Sequence, residues 1–211
     1  MKRAVPPPAV FRYLEHRDHA RAFESGFVWL SSFEHIRTCD TGRADPNEAK
    51  IDFEVKRLSP DMPADERATI HQRLNPMMTG DLSGLTMEGL SFVKEYPDCY
   101  VLCTTERDEP KMRPRFGEHC IRILQPDLFF QLIARRLAQN MSLEFSAFAR
   151  VRYDGRKLVD ASPDVGHPAF ANVPGNAFER EARMVWGPTQ DHKVAPFLLE
   201  APEVARLCSI V

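Results

Sequence analysis

The sequence predicts a single α+β domain with a split, mostly antiparallel β-sheet and helices interspersed between the strands. Segments with strand character, shown by alternation or by continuous apolar runs, outnumber segments with helical periodicity. The helical segments stand between strands without the regular alternation that produces a parallel sheet, which favours antiparallel pairing. A chain of 211 residues is also long enough to bury a substantial core.

The start of the chain predicts a strand, a short helix and a second strand. The two strands cover 9–14 and 27–33, and the helix covers 18–25 and stops before Gly26. The polar segment 35–48 is rich in turn-forming and capping residues, and it predicts a long loop.

The next part of the chain contains the segment that is hardest to assign. Residues 51–55 alternate like a strand and 63–74 have helical character. The region from about 56 to 90 is expected to be an insertion within a single domain that spans 1–211.

The second half predicts mainly strands and one amphipathic helix. Strands are expected at 99–105, 116–123, 145–153, 156–159, 178–186 and 195–199. The continuous apolar run 99–105 predicts a buried central strand. Asp127 is expected to cap the helix that follows it. The turn Asp154-Gly155 predicts a hairpin between the strands on either side, and Pro202 is expected to open a last turn of helix.

Composition excludes several classes of protein. With 43% hydrophobic and 27% charged residues and a net charge of −2, the chain resembles an ordinary soluble domain that does not hold nucleic acid by bulk charge. It contains no apolar run long enough to span a membrane, and prolines 6–8 stand where a signal peptide would be apolar. We therefore expect a cytoplasmic protein without a membrane partner, whose five unpaired cysteines are reduced.

Two carboxylates near the end of the chain predict a site. If 178–186 is one strand, Glu179, Glu181 and Arg183 share a face. Neighbouring carboxylates repel each other unless a cation, a hydroxyl group or water lies between them, and Arg183 or another arginine is a candidate for that cation. The alternative is the solvated face of an edge strand.

The chain carries three separated pieces in order: Arg12, Trp29-Leu30-Ser31-Ser32 and Glu179-Arg180-Glu181. Taken in that order they resemble the arginine, serine and Glu-x-Glu elements of mono-ADP-ribosyltransferases. The resemblance implies a split sheet that binds NAD in the cleft between its halves. The serine element here reads Ser-Ser-Phe instead of Ser-Thr-Ser, and it lies closer to the arginine than in typical toxins of that family.

The same resemblance implies a role for each residue. Arg12 would contact the phosphate or ribose of NAD, and Ser31 or Ser32 would hold the site around the second strand. Glu181 would hydrogen-bond the nicotinamide ribose, while Glu179 would orient or deprotonate the acceptor. Tyr13 is a candidate for stacking on nicotinamide or adenine, as are Trp29 and Phe33.

The chemistry of NAD cleavage explains why such residues are needed. Breaking the bond between ribose and nicotinamide develops positive charge on the ribose, which a nearby carboxylate stabilises. A second carboxylate can act as general base towards the incoming nucleophile, and a rigid arginine fork suits a pyrophosphate.

A second resemblance covers more of the chain. The pieces Phe11-Arg12-Tyr13-Leu14, Gly26-x-x-Trp29-Leu30-Ser31-Ser32, Asp45-Pro46-x-Glu48, Cys103-Thr104-Thr105, 112–123 and Phe178-x-x-Glu181-x-Arg183 are similar to a widespread, largely uncharacterised bacterial family. Its members often accompany mobile-element or phage-defence genes. This implies a toxin or anti-phage effector with a macromolecular acceptor, either protein or nucleic acid, and a possible antitoxin partner.

Two alternatives from other classes stay open. A metal-dependent nuclease would gather the carboxylates Asp45, Glu48, Glu179 and Glu181 around a divalent ion, although no carboxylate–lysine nuclease motif is recognisable. A non-catalytic binding module would use a basic surface made of Arg113, Arg115, Arg135, Arg136, Arg150, Arg152 and Arg156. We predict no resident metal, because the spacings of the cysteines and histidines do not match a metal motif.

Overall fold

The chain folds as an α+β protein with mostly antiparallel sheets and helices between the strands, which confirms that part of the prediction. The computed structural model describes residues 7–39, 44–74, 78, 84–162 and 167–211. The strands are β1 Ala9–Leu14, β2 Phe27–Ser32, β3 Lys50–Leu58, β4 Met87–Glu95, β5 Tyr100–Thr105, β6 His119–Leu124, β7 Leu143–Arg150, β8 Lys157–Val159, β9 Glu181–Pro188, β10 Phe197–Glu200 and β11 Cys208–Ile210. The α-helices are α1 Arg17–Glu24, α2 Phe33–Thr38, α3 Ala64–Leu74, α4 Arg113–Phe116 and α5 Pro126–Leu137. Short 3-10 helices cover Pro110–Met112, Pro168–Phe170, Pro174–Glu179 and Pro202–Leu207.

The larger sheet is organised around β5, the strand predicted to be central and buried. Along one edge β5 pairs with β9 over its whole length, from Tyr100 opposite Trp186 to Thr105 opposite Glu181. β7 pairs in turn with the outer edge of β9.

The other edge of β5 is shared by two strands, so the sheet forks. β1 meets β5 only where Phe11 lies opposite Thr105, whereas β2 meets it where Ser31 lies opposite Val101. β1 continues outward to β6 and β11, and β2 continues to β10. The middle of β5 is therefore left open between two diverging strands.

One face of this sheet is covered by helices and holds the main core. The rings of Phe23 on α1 and Phe129 on α5 stack at 6.0 Å between centroids. Tyr100, Leu102 and Trp186 are buried in the same cluster. Because side chains alternate across a strand, Val101, Cys103 and Thr105 face the opposite side.

A smaller sheet has the order β4-β3-β8, with β8 parallel to β3. Phe53 and Phe92 stack within it at 5.0 Å, and α3 contributes Ile70 and Leu74 to its apolar cluster. The expected insertion at about 56–90 includes the end of β3, α3 and the start of β4, while 75–77 and 79–83 lie outside the described residues.

Several local predictions are wrong for identifiable reasons. The segment 35–48 is not all loop, because Ser32 Oγ accepts from the His35 amide at 3.1 Å and thereby caps α2. Asp127 does not cap α5, because the N-cap of that helix is Gln125. Asp127 lies in the first turn of the helix instead. A helical turn begins at Pro202 as predicted, but it does not end the chain, because β11 follows it.

The predicted hairpin across Asp154-Gly155 is wrong as well. β7 pairs with β9, and β8 pairs with β3. Beyond β7 the backbone turns away, since the Arg152 amide donates to the Phe170 carbonyl at 2.8 Å. In the part of the chain that the structure describes, no helix combines the length and apolar character needed to cross a membrane.

Candidate functional site

A cleft of about 660 Å³ opens on the face of the larger sheet away from α1 and α5, at the fork beside β5. That volume lies within the range of about 300–1,000 Å³ that is usual for small-molecule sites. Most of the predicted site residues line it, namely Arg12, Tyr13, Ser31, Glu179 and Glu181. Residues from distant parts of the chain therefore meet in one cavity.

Ser32 does not line the cleft. Its side chain points to the other face of β2, where it is buried and caps α2. Ser31 is half-buried and faces the cleft together with Trp29, as expected from the alternation of β2.

The two predicted glutamates reach the cleft in a different way from the one expected. Glu181 is the first residue of β9, but Glu179 is the last residue of the 3-10 helix Pro174–Glu179. Arg180 between them has a left-handed backbone with φ 44°, which breaks the alternation of a strand. The shared strand face predicted for Glu179, Glu181 and Arg183 is therefore wrong, although Glu181 and Arg183 do share one.

Arg183 is the centre of a buried charge cluster. It is 2% exposed, and it donates to both carboxylate oxygens of Glu181, from Nε at 2.7 Å and from Nη2 at 2.9 Å. It also donates to both oxygens of Glu48, at 2.5 and 3.1 Å, and to the Ala169 carbonyl at 2.8 Å. All five guanidinium donors are used. Burial alone would lower the pKa of Arg183, but the carboxylates of Glu181 and Glu48 raise it well above its usual range.

A second buried arginine extends the cluster. Arg156 donates to Asp45 Oδ2 at 2.8 Å, to Glu48 Oε2 at 3.4 Å and to the Ala171 carbonyl at 3.0 Å. Glu48 is therefore shared by two arginines, so its charge is compensated although it is only 2% exposed.

Glu179 occupies a less compensated position. Its Oε1 lies 3.1 Å from Nη2 of Arg115 on α4. Burial and the nearby charge of Glu181 raise the pKa of Glu179 to about 7, against the opposing effect of Arg115. The carboxyl group can therefore exchange a proton near neutral pH.

The residues from β1 take separate roles. Arg12 Nη1 donates to the carbonyl of Cys103 at 2.8 Å, at the open middle of β5. Tyr13 is buried, and its hydroxyl donates to Asp108 Oδ1 at 2.7 Å and accepts from the Glu109 amide at 2.8 Å. Tyr13 thus forms part of the cleft wall with its polar end anchored in a loop.

Cys103 is the cysteine nearest to this chemistry. Burial raises the pKa of its thiol well above the usual range, and the charge of Glu181 adds to the effect. The thiol is therefore protonated at neutral pH and unsuited to nucleophilic attack. All the cysteines of the chain are free.

Sequence reasoning named Arg183 as a candidate partner for the glutamates, but it did not find the cluster around it. The sequence suggests Glu48 as a metal ligand and Arg156 as part of a basic surface. In the structure Arg156 Nη2 donates to Glu48 Oε2, and the two residues are 108 positions apart in the sequence. No local pattern reports such a contact.

The same geometry bears on the alternatives. Asp45, Glu48 and Glu181 are held by arginines. Among the described residues no three histidine, cysteine or acidic side chains stand close enough to hold a metal ion. Because Arg156 is buried and Arg115 lies in the cleft, the proposed basic surface is not one continuous feature.

Comparison of the chain with protein-family models, with curated proteins and with solved structures gives no match. The residues of the cleft are therefore the basis for a functional conclusion.

Proposed function

We propose that the protein cleaves NAD and transfers its ADP-ribosyl group to a macromolecular acceptor. The observation that carries the proposal is the meeting of Arg12, Ser31 and the Glu179/Glu181 pair in one cleft at the fork of the sheet. These residues come from three distant segments, in the order that resembles the transferase family. An ADP-ribosyltransferase-like fold is part of the same proposal.

Glu181 is suited to stabilise charge on the ribose. As the bond from C1′ of the ribose to nicotinamide breaks, its electron pair leaves with nicotinamide and positive charge develops on the sugar. Arg183 occupies one acceptor site on each oxygen of Glu181. A carboxylate offers about four such sites, so Glu181 retains capacity for a ribose hydroxyl.

Glu179 is suited to act as the general base. The acceptor forms a bond to C1′ and gives up its proton, which Glu179 takes. A pKa of about 7 is close to the optimum for this step at neutral pH. Water in place of the acceptor would give simple hydrolysis of NAD.

Other residues of the cleft offer groups that suit the phosphates and bases of a dinucleotide. Arg12 offers a cation for the phosphates or ribose. Trp29 lines the cleft with 47% of its surface exposed, and presents a flat surface on which an aromatic base can stack.

The first test is nicotinamide release from NAD by the purified wild type, with cell lysate present to supply an acceptor. We expect Glu181→Gln to reduce release about a hundredfold or more. Glu179→Gln should reduce transfer by a similar factor while sparing hydrolysis more. Glu144→Gln, which changes an exposed carboxylate on β7, is the matched control and should retain activity.

Thermal unfolding of each variant accompanies the assay. Glu181→Gln leaves one donor of Arg183 without an acceptor, which costs about 1–3 kcal/mol. Glu181→Asp keeps the negative charge but places the carboxylate one methylene group farther from the ribose. A Glu181→Asp variant that folds but has no activity would therefore support a role of Glu181 in the reaction. A wild type that neither releases nicotinamide nor binds NAD in calorimetry would rule the proposal out.

The resemblance to the family found near phage-defence genes supports a further part of the proposal. The transferase would act as a toxin or anti-phage effector, and a cognate antitoxin would be its partner.

A further inference from the structure

Arg115 is a cation at the cleft whose surroundings differ from those of Arg183 and Arg156. Its side chain is 42% exposed, whereas those of Arg183 and Arg156 are 3% and 6% exposed. Its guanidinium carbon lies 5.3 Å from the ring centre of Phe116 and 5.4 Å from that of Phe178. The two rings hold the charged group beside Glu179 without removing it from solvent.

The position of Arg115 is fixed by a close approach of two backbones. Gly117 ends α4 with φ 121°, and a Cβ atom there would lie 2.3 Å from the carbonyl carbon and oxygen of Leu14. α4 is therefore seated against the end of β1, the strand that carries Arg12 and Tyr13. Arg115 and Arg12 consequently line the same cleft.

The cleft is nominally balanced in charge, so an anionic ligand needs a cation that can change partner. Its lining contains the cations Arg12, Arg115, Arg156, Lys157 and Arg183, and the carboxylates Asp45, Glu48, Asp52, Glu179 and Glu181. Releasing a fully buried arginine would leave a buried carboxylate without a counter-ion. Releasing Arg115 would not, because Glu179 can take up a proton at a pKa near neutrality.

We propose that Arg115 leaves Glu179 to bind the anionic group of the ligand, and that Glu179 takes up a proton as it does so. The identity of that group as a pyrophosphate diester rests on the proposed function. The groups that act on Glu179 are Arg115 from α4, Glu181 and Arg183 from β9, Glu48 before β3 and Tyr153 after β7. Once Arg115 has moved to the ligand, the charge of Glu181 favours the protonated form of Glu179. Glu179 acts as the general base only after it has released this proton to solvent, so the transfer step needs a higher pH than binding does.

The test is binding of ADP-ribose to the full chain, measured by calorimetry at several pH values from about 6 to about 8.5. ADP-ribose carries the pyrophosphate diester but has no nicotinamide to release, and its charge is constant over this range. Arg115→Gln should weaken binding about ten- to a hundredfold, as expected for a lost charge-assisted hydrogen-bonding group. Arg115→Lys should recover only part of the affinity, because lysine lacks the planar fork.

The pH dependence separates a binding role from a structural one. Wild-type affinity should fall as pH rises above about 7, by up to about tenfold per pH unit, because the complex holds one proton more than the free protein. Glu179→Gln should lose this dependence and bind up to about thirtyfold more tightly than the wild type at a pH of about 8.5, since the competing carboxylate is gone. Arg113→Gln, two residues earlier in α4 and outside the cleft lining, is the control and should bind as the wild type does.

Three outcomes would overturn the inference: no binding of ADP-ribose by the wild type, equal binding by Arg115→Gln, or wild-type affinity that is independent of pH. Nicotinamide release by a protein whose ADP-ribose binding ignores Arg115 would reject this inference and leave the proposed function standing. ADP-ribose binding that depends on Arg115, in a protein that does not cleave NAD, would support this inference and reject the proposed function.

Discussion

The carboxyl group of Glu179 is buried while its charge is only partly paired, and this makes the stability of the protein depend on pH. The carboxyl group is 8% exposed and lies between the cation of Arg115 and the carboxylate of Glu181. Its pKa of about 7 in the folded protein exceeds the value of about 4.3 that is typical of an unfolded chain. Between these values the native state binds more protons than the unfolded state.

The free energy of unfolding should therefore fall as pH rises from about 4.5 to about 7. The contribution of Glu179 to this fall is at most about 4 kcal/mol, because each pKa unit corresponds to about 1.4 kcal/mol. In Glu179→Gln the contribution should vanish, so urea unfolding of both proteins at several pH values measures it as a difference. Parallel pH profiles for wild type and variant would contradict the raised pKa.

At the residue scale the sequence predicted the members of the cleft better than their contacts. Arg12, Ser31 and the glutamate pair could be named because each stands in a short pattern with a known chemical use. Glu48 could not be assigned to Arg183, because their contact joins residues 135 apart and depends on how two sheets pack. Ser32 has the same residue type as Ser31 but the opposite strand face, and the helix start at Phe33 gives it a capping role.

At the element scale, predictions succeeded where the pattern is local. β5 was predicted from its continuous apolar run, and α1 from its charged face and the glycine that follows. The predicted strand 178–186 begins too early, because Phe178 and Glu179 belong to the 3-10 helix Pro174–Glu179 and the positive φ of Arg180 separates that helix from β9. The parallel pairing of β8 with β3 has no signal in either segment.

The junction of α4 with β1 is an element-scale feature that a glycine controls. Gly117→Ala should destabilise the protein strongly, because its Cβ would clash with the backbone of Leu14 in addition to the strain of a positive φ. Gly155→Ala is the matched control, since Gly155 has φ 96° but nothing within 4 Å of an added Cβ. We expect a loss of about 1 kcal/mol for Gly155→Ala and about 2 kcal/mol more for Gly117→Ala, measured by denaturant unfolding. Equal losses would mean that α4 moves freely away from β1.

At the scale of the whole molecule, the buried charges connect the two sheets. Arg183 belongs to the larger sheet, Glu48 precedes β3 of the smaller sheet, and Arg156 immediately precedes β8. The main apolar clusters of the two sheets are separate, but Ala49 packs in a third cluster with Val101 and Val185 of the larger sheet. Directional hydrogen bonds and the packing of Ala49 together set the position of the 44–49 segment against the cleft.

This arrangement predicts a large effect of removing the central cation. Arg183→Met should lower the free energy of unfolding by about 3–5 kcal/mol, because it leaves two buried carboxylates without their shared partner. Arg57→Met removes an exposed arginine from its pair with Asp61, whose side chains are 58% and 68% exposed, and it should cost less than about 1 kcal/mol. Adding Glu48→Gln and Glu181→Gln to Arg183→Met should restore part of the loss, since no uncompensated charge then remains buried. If the triple variant is less stable than Arg183→Met alone, the carboxylates stabilise the fold independently of Arg183, and the cluster is not held together by its charge balance.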